Sequence, residues 1–264
     1  MRLYYEIAIR SFRRATIYRS AYVAGILTNA FFGVLFSSMY RALYEGRERI
    51  AGLTLHDAIS YVWLSQALIA IGAGWISWHM ELERGIRTGD IVADLARPWN
   101  FYAFWLSRVL GERLFNLLVR GSLTYLIGIL YFDALIPSIE ALAAFAIAVL
   151  LSILISAALN FLVNITAFWL IDITGLVLVT NLTMGFFSGF LLPLAFFPPA
   201  LAVIAQALPF QAITSIPVRT LLGQVRGADL ALALTTQVCW AMALTGAALL
   251  ALRAAMRKIV LQGG

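Results

Sequence analysis

The sequence predicts an all-α, polytopic membrane protein with six transmembrane helices, and three observations lead there. Of 264 residues, 62% are hydrophobic and only 12% are charged, whereas soluble domains carry about 25% charged residues. Mean hydropathy is +0.90. The apolar residues are gathered into runs long enough to cross a hydrocarbon core of about 30 Å at about 1.5 Å per residue, and the charges lie between the runs. Residues 1–264 read as one transmembrane domain.

Residues 1–19 precede the first span. On a helical wheel Arg2, Glu6, Arg10 and Arg13 share one arc, with Arg14 at its edge, and Tyr5, Ala8, Phe12 and Ala15 share the other. This division predicts an interfacial helix, with aromatics in the headgroup layer and arginines towards anionic lipid or a partner. The first apolar run is too long for a cleavable signal and lacks a small-x-small site. Span 1 covers 20–40. A polar loop with Arg41, Glu45, Arg47, Glu48, Arg49 and Asp57 leads to span 2, 58–78, whose Trp75 and Trp78 suit the interface belt.

Next comes the longest charge-rich interruption, ELERGIRTGDIVADLARP (81–98), within a segment over 79–100. Asp90 is placed to cap a short helix, its carboxylate accepting from the first-turn N–H groups. Ile91, Val92 and Leu95 give that helix an apolar side. Asp94 faces elsewhere, and Pro98 stops the helix because proline cannot extend the ladder. An amphipathic helix between two spans is a handle that a partner outside the membrane can push. The plainer alternative is a solvated loop with one helical turn.

The aromatic-rich piece 101–113 climbs into span 3, 114–132. Spans 4, 5 and 6 cover 139–164, 175–194 and 230–252. Five of the seven prolines, Pro193, Pro198, Pro199, Pro209 and Pro217, stand between spans 5 and 6. They flank an apolar piece, 200–208, that is far too short to cross. A re-entrant helical segment over 195–217, closing the outer end of a pathway, is the expectation; a loop lying on headgroups is the alternative.

Six spans put both termini on one side. With the termini inside, thirteen Lys and Arg lie on the inner segments and five on the outer loops, Arg120 being inside span 3. That bias places the termini and the handle in the cytosol. It also accounts for the net charge of +6, with no aromatic-interleaved basic run to bind nucleic acid.

Within the membrane, Ser152, Ser156, Asn160 and Asn164 are spaced four apart and form one polar stripe, while Asn181 and Thr183 add polarity to span 5. Polar side chains at this depth line a route for an amphipathic substrate or join helices. Arg120 either snorkels inward or pairs with Glu112 or Asp172. GFFSG, from Gly185 to Gly189, is a small-xxx-small candidate for a dimer seam. Cys239 lies in an apolar run and reads as a small buried hydrophobe, with no second cysteine for a disulfide.

Several chemistries lack their residues. The single lysine, Lys258, is followed by Ile259, so there is no Gly-Lys-Ser/Thr phosphate loop. Two histidines, His56 and His79, without HExxH or CxxC, offer no metal site, and there is no GxSxG elbow. No catalytic centre and no cofactor are expected in the chain. A membrane-embedded lipid-modifying enzyme would need converging groups, but His56, Asp57, Asp133, Glu140 and Asp229 are scattered. An ion-driven carrier would need carboxylates within the spans or inverted repeats with broken spans.

Three pieces carry a family resemblance: IRTGDIVADLARPWN (86–100), with Gly89, Leu95, Arg97 and Pro98 in an I-R-x-G…L-x-R-P run; SGFLLPLAFFP (188–198) followed by LPF (208–210) and Pro217; and the basic amphipathic opening. Together they resemble the permease subunits of type-2 ATP-binding-cassette exporters, in the bacterial six-span branch. The resemblance implies that the handle is a coupling helix docking on a separate ATPase subunit through Glu83, Arg84, Arg87, Asp90, Asp94, Leu95 and Arg97. It implies two copies of that ATPase, which would bind ATP and magnesium, and a second permease, either another copy or a sister chain. It implies export of hydrophobic or amphipathic compounds (drugs or antibiotics, peptides or lipids) across the bacterial inner membrane.

Overall fold

The computed structural model describes residues 2–17, 19–69, 81–170 and 172–262, without the side chains of 81 and 259–262. Among them, four helices are long and apolar enough to cross a membrane: α2 (Arg19–Leu43), the continuous rod Phe101–Phe132, Ile139–Phe168, and Gly227–Lys258 within the last helix. The rod comprises α6 (Phe101–Asn116), a π turn (Leu117–Gly121) and α7 (Ser122–Phe132). The third helix is α8 (Ile139–Ile165) with a 3-10 end, and the last is α12 (Gly227–Gln262). The shorter helices are α1 (Arg2–Ala15), α3 (Leu55–Leu68), α4 (Glu81–Thr88), α5 (Ile91–Leu95), α9 (Thr174–Phe187), α10 (Pro199–Ala207) and α11 (Ser215–Leu221). The chain is thus an all-α polytopic membrane protein.

The expected span 2 begins as α3, but its remainder, with Trp75 and Trp78, lies outside the described residues. Span 5 is shorter than expected: α9 ends at Phe187, about 21 Å of helix. The chain turns there because Gly189 adopts φ +81°, a conformation that favours glycine, and its carbonyl accepts the Tyr61 hydroxyl at 2.9 Å. The helical course then resumes in α10 and, after a 3-10 turn, α11; Pro199–Ala207 and Pro209–Leu221 meet at a 70° bend and would make a fifth crossing if counted as one broken span.

Packing is set where small residues admit large ones. Trp63 of α3 is fully buried between Gly33 of α2 and Gly128 of α7, where a Cβ would stand 2.9 Å and 2.5 Å from the indole. Its Nε1 donates to Ser37 Oγ at 3.1 Å. This slot fixes the approach of three helices and centres the larger core, which α8, α11 and α12 complete.

The polar loop after α2 contains a small antiparallel hairpin that the sequence reading did not anticipate. β1 (Arg49–Ile50) pairs with β2 (Leu53–Thr54), joined through Ala51 and Gly52 at φ 51° and 82°. Two successive left-handed residues match the twist of a tight hairpin. Thr54 then caps α3 in a reciprocal box with Asp57.

At the amino end α1 lies along α6. Tyr4, Ala8 and Phe12 are half-buried, while Tyr5, placed on the apolar arc by the wheel, is exposed. Gly111 of α6 admits the Ala8 carbonyl at a spot a Cβ would occupy. Phe12 meets Phe115 edge to face. Cys239, expected to be buried, is exposed on α12.

Candidate functional site

The charged interruption folds as two short helices, α4 and α5, hinged at Gly89, whose φ of +83° no other residue type adopts easily. Their apolar side is anchored. Leu82 and Ile91 are buried, with Ile86 and Leu95 against them, in a cluster with Phe101, Phe161, Ile165, Leu252 and Ala255. Those partners are the adjoining ends of α6, α8 and α12. The handle therefore packs chiefly on the end of α8 and its 3-10 extension, within a cluster that also takes in the ends of α6 and α12. Nearby, Lys258 of α12 donates to the Phe168 carbonyl at 2.7 Å, a cation placed at the carbonyl end of α8.

The opposite side of the handle is polar. Arg84, Arg87, Asp90 and Arg97 are exposed, and Glu83, Asp94 and Leu95 are half-buried. Arg87 pairs with Glu83 at 3.2 Å and Arg97 with Asp94 at 3.6 Å. Arg97 also lies 4.9 Å over the Trp99 ring. Two local expectations fail. Asp90 does not cap α5: its backbone is helical, and its Oδ2 instead accepts the Thr88 hydroxyl at 2.7 Å. Val92 does not join the apolar side; it is half exposed. A five-residue helix completes too few turns for a periodic stripe to bind both residues to one surface. α1 reaches this region too: the Asn100 N–H, just past Pro98, donates to the Tyr4 hydroxyl at 2.9 Å.

All four polar residues of the α8 stripe are buried. Ser152 donates to the Ile213 carbonyl, in the link between α10 and α11. Ser156 accepts from Arg113 of α6. Asn164 donates to the Asn160 side chain and carbonyl, each at 2.8 Å. Asn181 of α9 is buried as well. Gly185 and Gly189 lie inside the chain: Leu191 is beside the first, and Tyr61 and Ser215 crowd the second.

The link over 208–214 holds only one 3-10 turn, Pro209–Ala212, so part of its backbone needs other partners. Gln237 of α12, fully buried, donates to Ala148 O at 3.0 Å and Ala212 O at 2.8 Å. Ser215 N–H donates to Ser188 O at 3.0 Å. A proline-broken segment is thereby tied to α8, α9 and α12. The sequence did not mark Gln237 or Asn29 as joining residues. Their signal was available: each is a lone amide in an otherwise apolar run, which needs a partner in the interior.

Arg120 pairs with neither Glu112 nor Asp172. Its Nη2 donates to Gly25 O at 3.3 Å and to Asn29 Oδ1 at 3.0 Å. The π turn explains the direction. Arg113 and Arg120 are seven apart and would share a face of a regular helix; the extra residue in the turn rotates the second by about 100°. One guanidinium thus meets α8 and the other α2. Asp172, fully exposed, accepts from Thr174, whose side chain and N–H hold its carboxyl below the usual range. Among the described residues, no group of three His, Cys, Asp or Glu could hold a metal ion.

Residues 29–263 match the family described as ABC-2 family transporter protein. No curated protein and no solved structure matches the chain. The match takes in α3, the handle, the polar stripe, the broken segment and α12. The chain therefore belongs to the ABC-2 transporter family and is an integral membrane permease of an ABC transporter.

Proposed function

We propose that this permease is an exporter subunit driven by a separate ATPase that binds ATP and magnesium and docks on the exposed side of α4 and α5. The observation that carries the reading is the seating of the handle: an apolar side packed on the end of α8, in one cluster with the ends of α6 and α12, and a charged side facing out. A push on Arg84, Arg87, Asp90 or Arg97 would be transmitted to three long helices together, because close-packed interiors shift as units. Six crossings, cytosolic termini and handle, and a bacterial inner-membrane setting complete the reading. Two ATPase copies would serve a pair of permeases, either two copies of this chain or this chain and a sister. The cargo is hydrophobic or amphipathic.

In this reading 195–217 is a re-entrant wedge at the outer face, and the bonds from Ser152 and Gln237 favour a plug over a loop lying on headgroups. The same bonds favour joining helices over lining a route as the work of Ser152, Ser156, Asn160 and Asn164. The test of docking is co-purification. Asp90→Lys with Arg97→Glu, both on the exposed side, is expected to release the ATPase while the permease still inserts. Unchanged recovery of the ATPase with the double variant would sink the docking role.

A further inference from the structure

Arg120 stands in the π turn, twelve residues before the end of α7 at Phe132. At about 1.5 Å per residue that is about 18 Å from one end of a crossing of about 30 Å, so the guanidinium lies at hydrocarbon depth. Its Nη2 is fixed by two neutral acceptors, Gly25 O and Asn29 Oδ1. Asn29 is itself fixed, donating to Gln66 O at 3.0 Å. Nε is shielded and has no partner.

Among the described residues, no carboxylate reaches that depth. Of the 13 acids, the nearest in sequence is Glu112, eight residues towards the handle. Asp133 and Glu140 mark the far end, Asp57 and Asp229 stand in the first turns of α3 and α12, and the rest lie in α1, the handle or the connections. A second copy of the chain would bring the same acids to the same depths, so pairing with itself supplies no counter-charge. Intramembrane cations are rare and costly, and they mark ligand or ion sites. Two features make this one a socket. Gly25 gives the guanidinium its place, since a Cβ there would stand 2.5 Å from Cζ. The seam is also open at its flank: Arg120 is only half-buried, and Leu123, one turn further along, is exposed.

We propose that the seam between α2 and the π turn holds the anionic group, phosphate or carboxylate, of an amphiphile that enters sideways from the membrane. Nη1, which is neither shielded like Nε nor already donating like Nη2, meets an oxygen of that group in a charge-assisted hydrogen bond. The apolar tail lies on the exposed flank of α2 and α7. That the occupant is cargo rests on the permease reading; the binding itself does not.

The purified chain, without any ATPase, is mixed in neutral detergent with fluorescent dodecyl phosphate or a fluorescent dodecyl trimethylammonium, and anisotropy is read. The wild type is expected to bind the phosphate, with Arg120→Gln weakening it roughly ten-fold or more and Arg120→Lys less. Gly25→Ala keeps the charge but displaces the guanidinium, and is expected to weaken binding as well; it decides the matter should Arg120→Gln not fold. Equal binding by wild type and Gly25→Ala, no binding by wild type, or equal uptake of the cationic probe would overturn the proposal. A second arm uses bilayer discs of phosphatidylcholine with or without phosphatidylglycerol. Displacement of the probe by phosphatidylglycerol identifies a lipid headgroup as occupant, and retention identifies a free amphiphile; both support the site. Failure here leaves the docking of the ATPase untouched, and loss of ATPase co-purification leaves this site standing.

Discussion

Gln237 makes two hydrogen bonds from one amide nitrogen and has no exposed surface. Gln237→Leu would leave the Ala148 and Ala212 carbonyls without that donor, at a cost of about 1–3 kcal/mol for a buried group left unsatisfied. A lower melting temperature in detergent, with insertion unchanged, is the expected outcome; an unchanged melt would show that water replaces the amide. Gly128→Ala drives a methyl into the Trp63 ring and is expected to cost about 1–3 kcal/mol by overpacking, read in the same assay. Neither role was legible in the sequence. Glycines and amides in apolar runs were visible, but which ring or carbonyl each would meet is decided by helices far apart in the chain. Asp90 failed for a different reason. Its position fitted an N-cap, yet Thr88 two residues earlier offered its carboxylate a nearer donor, and local side-chain hydrogen bonds compete with caps.

At the scale of elements, long apolar helices were the most readable part. Their hydropathy alone set α2 and α8 within a few residues, because a lone apolar segment hides its backbone in hydrocarbon only as a helix. The short elements were less readable. α9 was expected to run on to Leu194, but Gly189 and the Tyr61 hydroxyl end it early. The hairpin at Arg49–Thr54 depends on two left-handed residues, one of them an alanine. α1 meets α6 through Tyr4, Ala8 and Phe12 rather than through Tyr5. That contact makes α1 part of the handle's mounting. Gly111→Leu would force α1 away from α6. Its expected effect is a reduced ATPase rate of the assembled transporter with the subunits still bound together, whereas a normal rate would confine α1 to anchoring.

At the scale of the molecule, the sidedness of the bundle remains the premise on which force transmission depends. In a Cys239→Ala background, Glu48→Cys, exposed just before β1, is expected to react with an impermeant maleimide on intact cells. Arg84→Cys on α4 is expected to react only after permeabilisation. Reversed labelling would turn the handle away from any cytosolic engine. The class of the molecule was legible because composition and hydropathy act on the entire chain. The joins between its parts were not, since they rest on single residues such as Arg113 meeting Ser156 across α6 and α8.

The broken segment between α9 and α12 carries a consequence for biogenesis. Its open carbonyls rely on Ser152 from an early helix and on Gln237 from the last one. During synthesis it emerges before the second of these donors exists, so an insertase would have to shelter it until the final helix leaves the ribosome. Nascent chains arrested ahead of α12 should then be held by the insertion machinery or destroyed, instead of waiting in the bilayer half built.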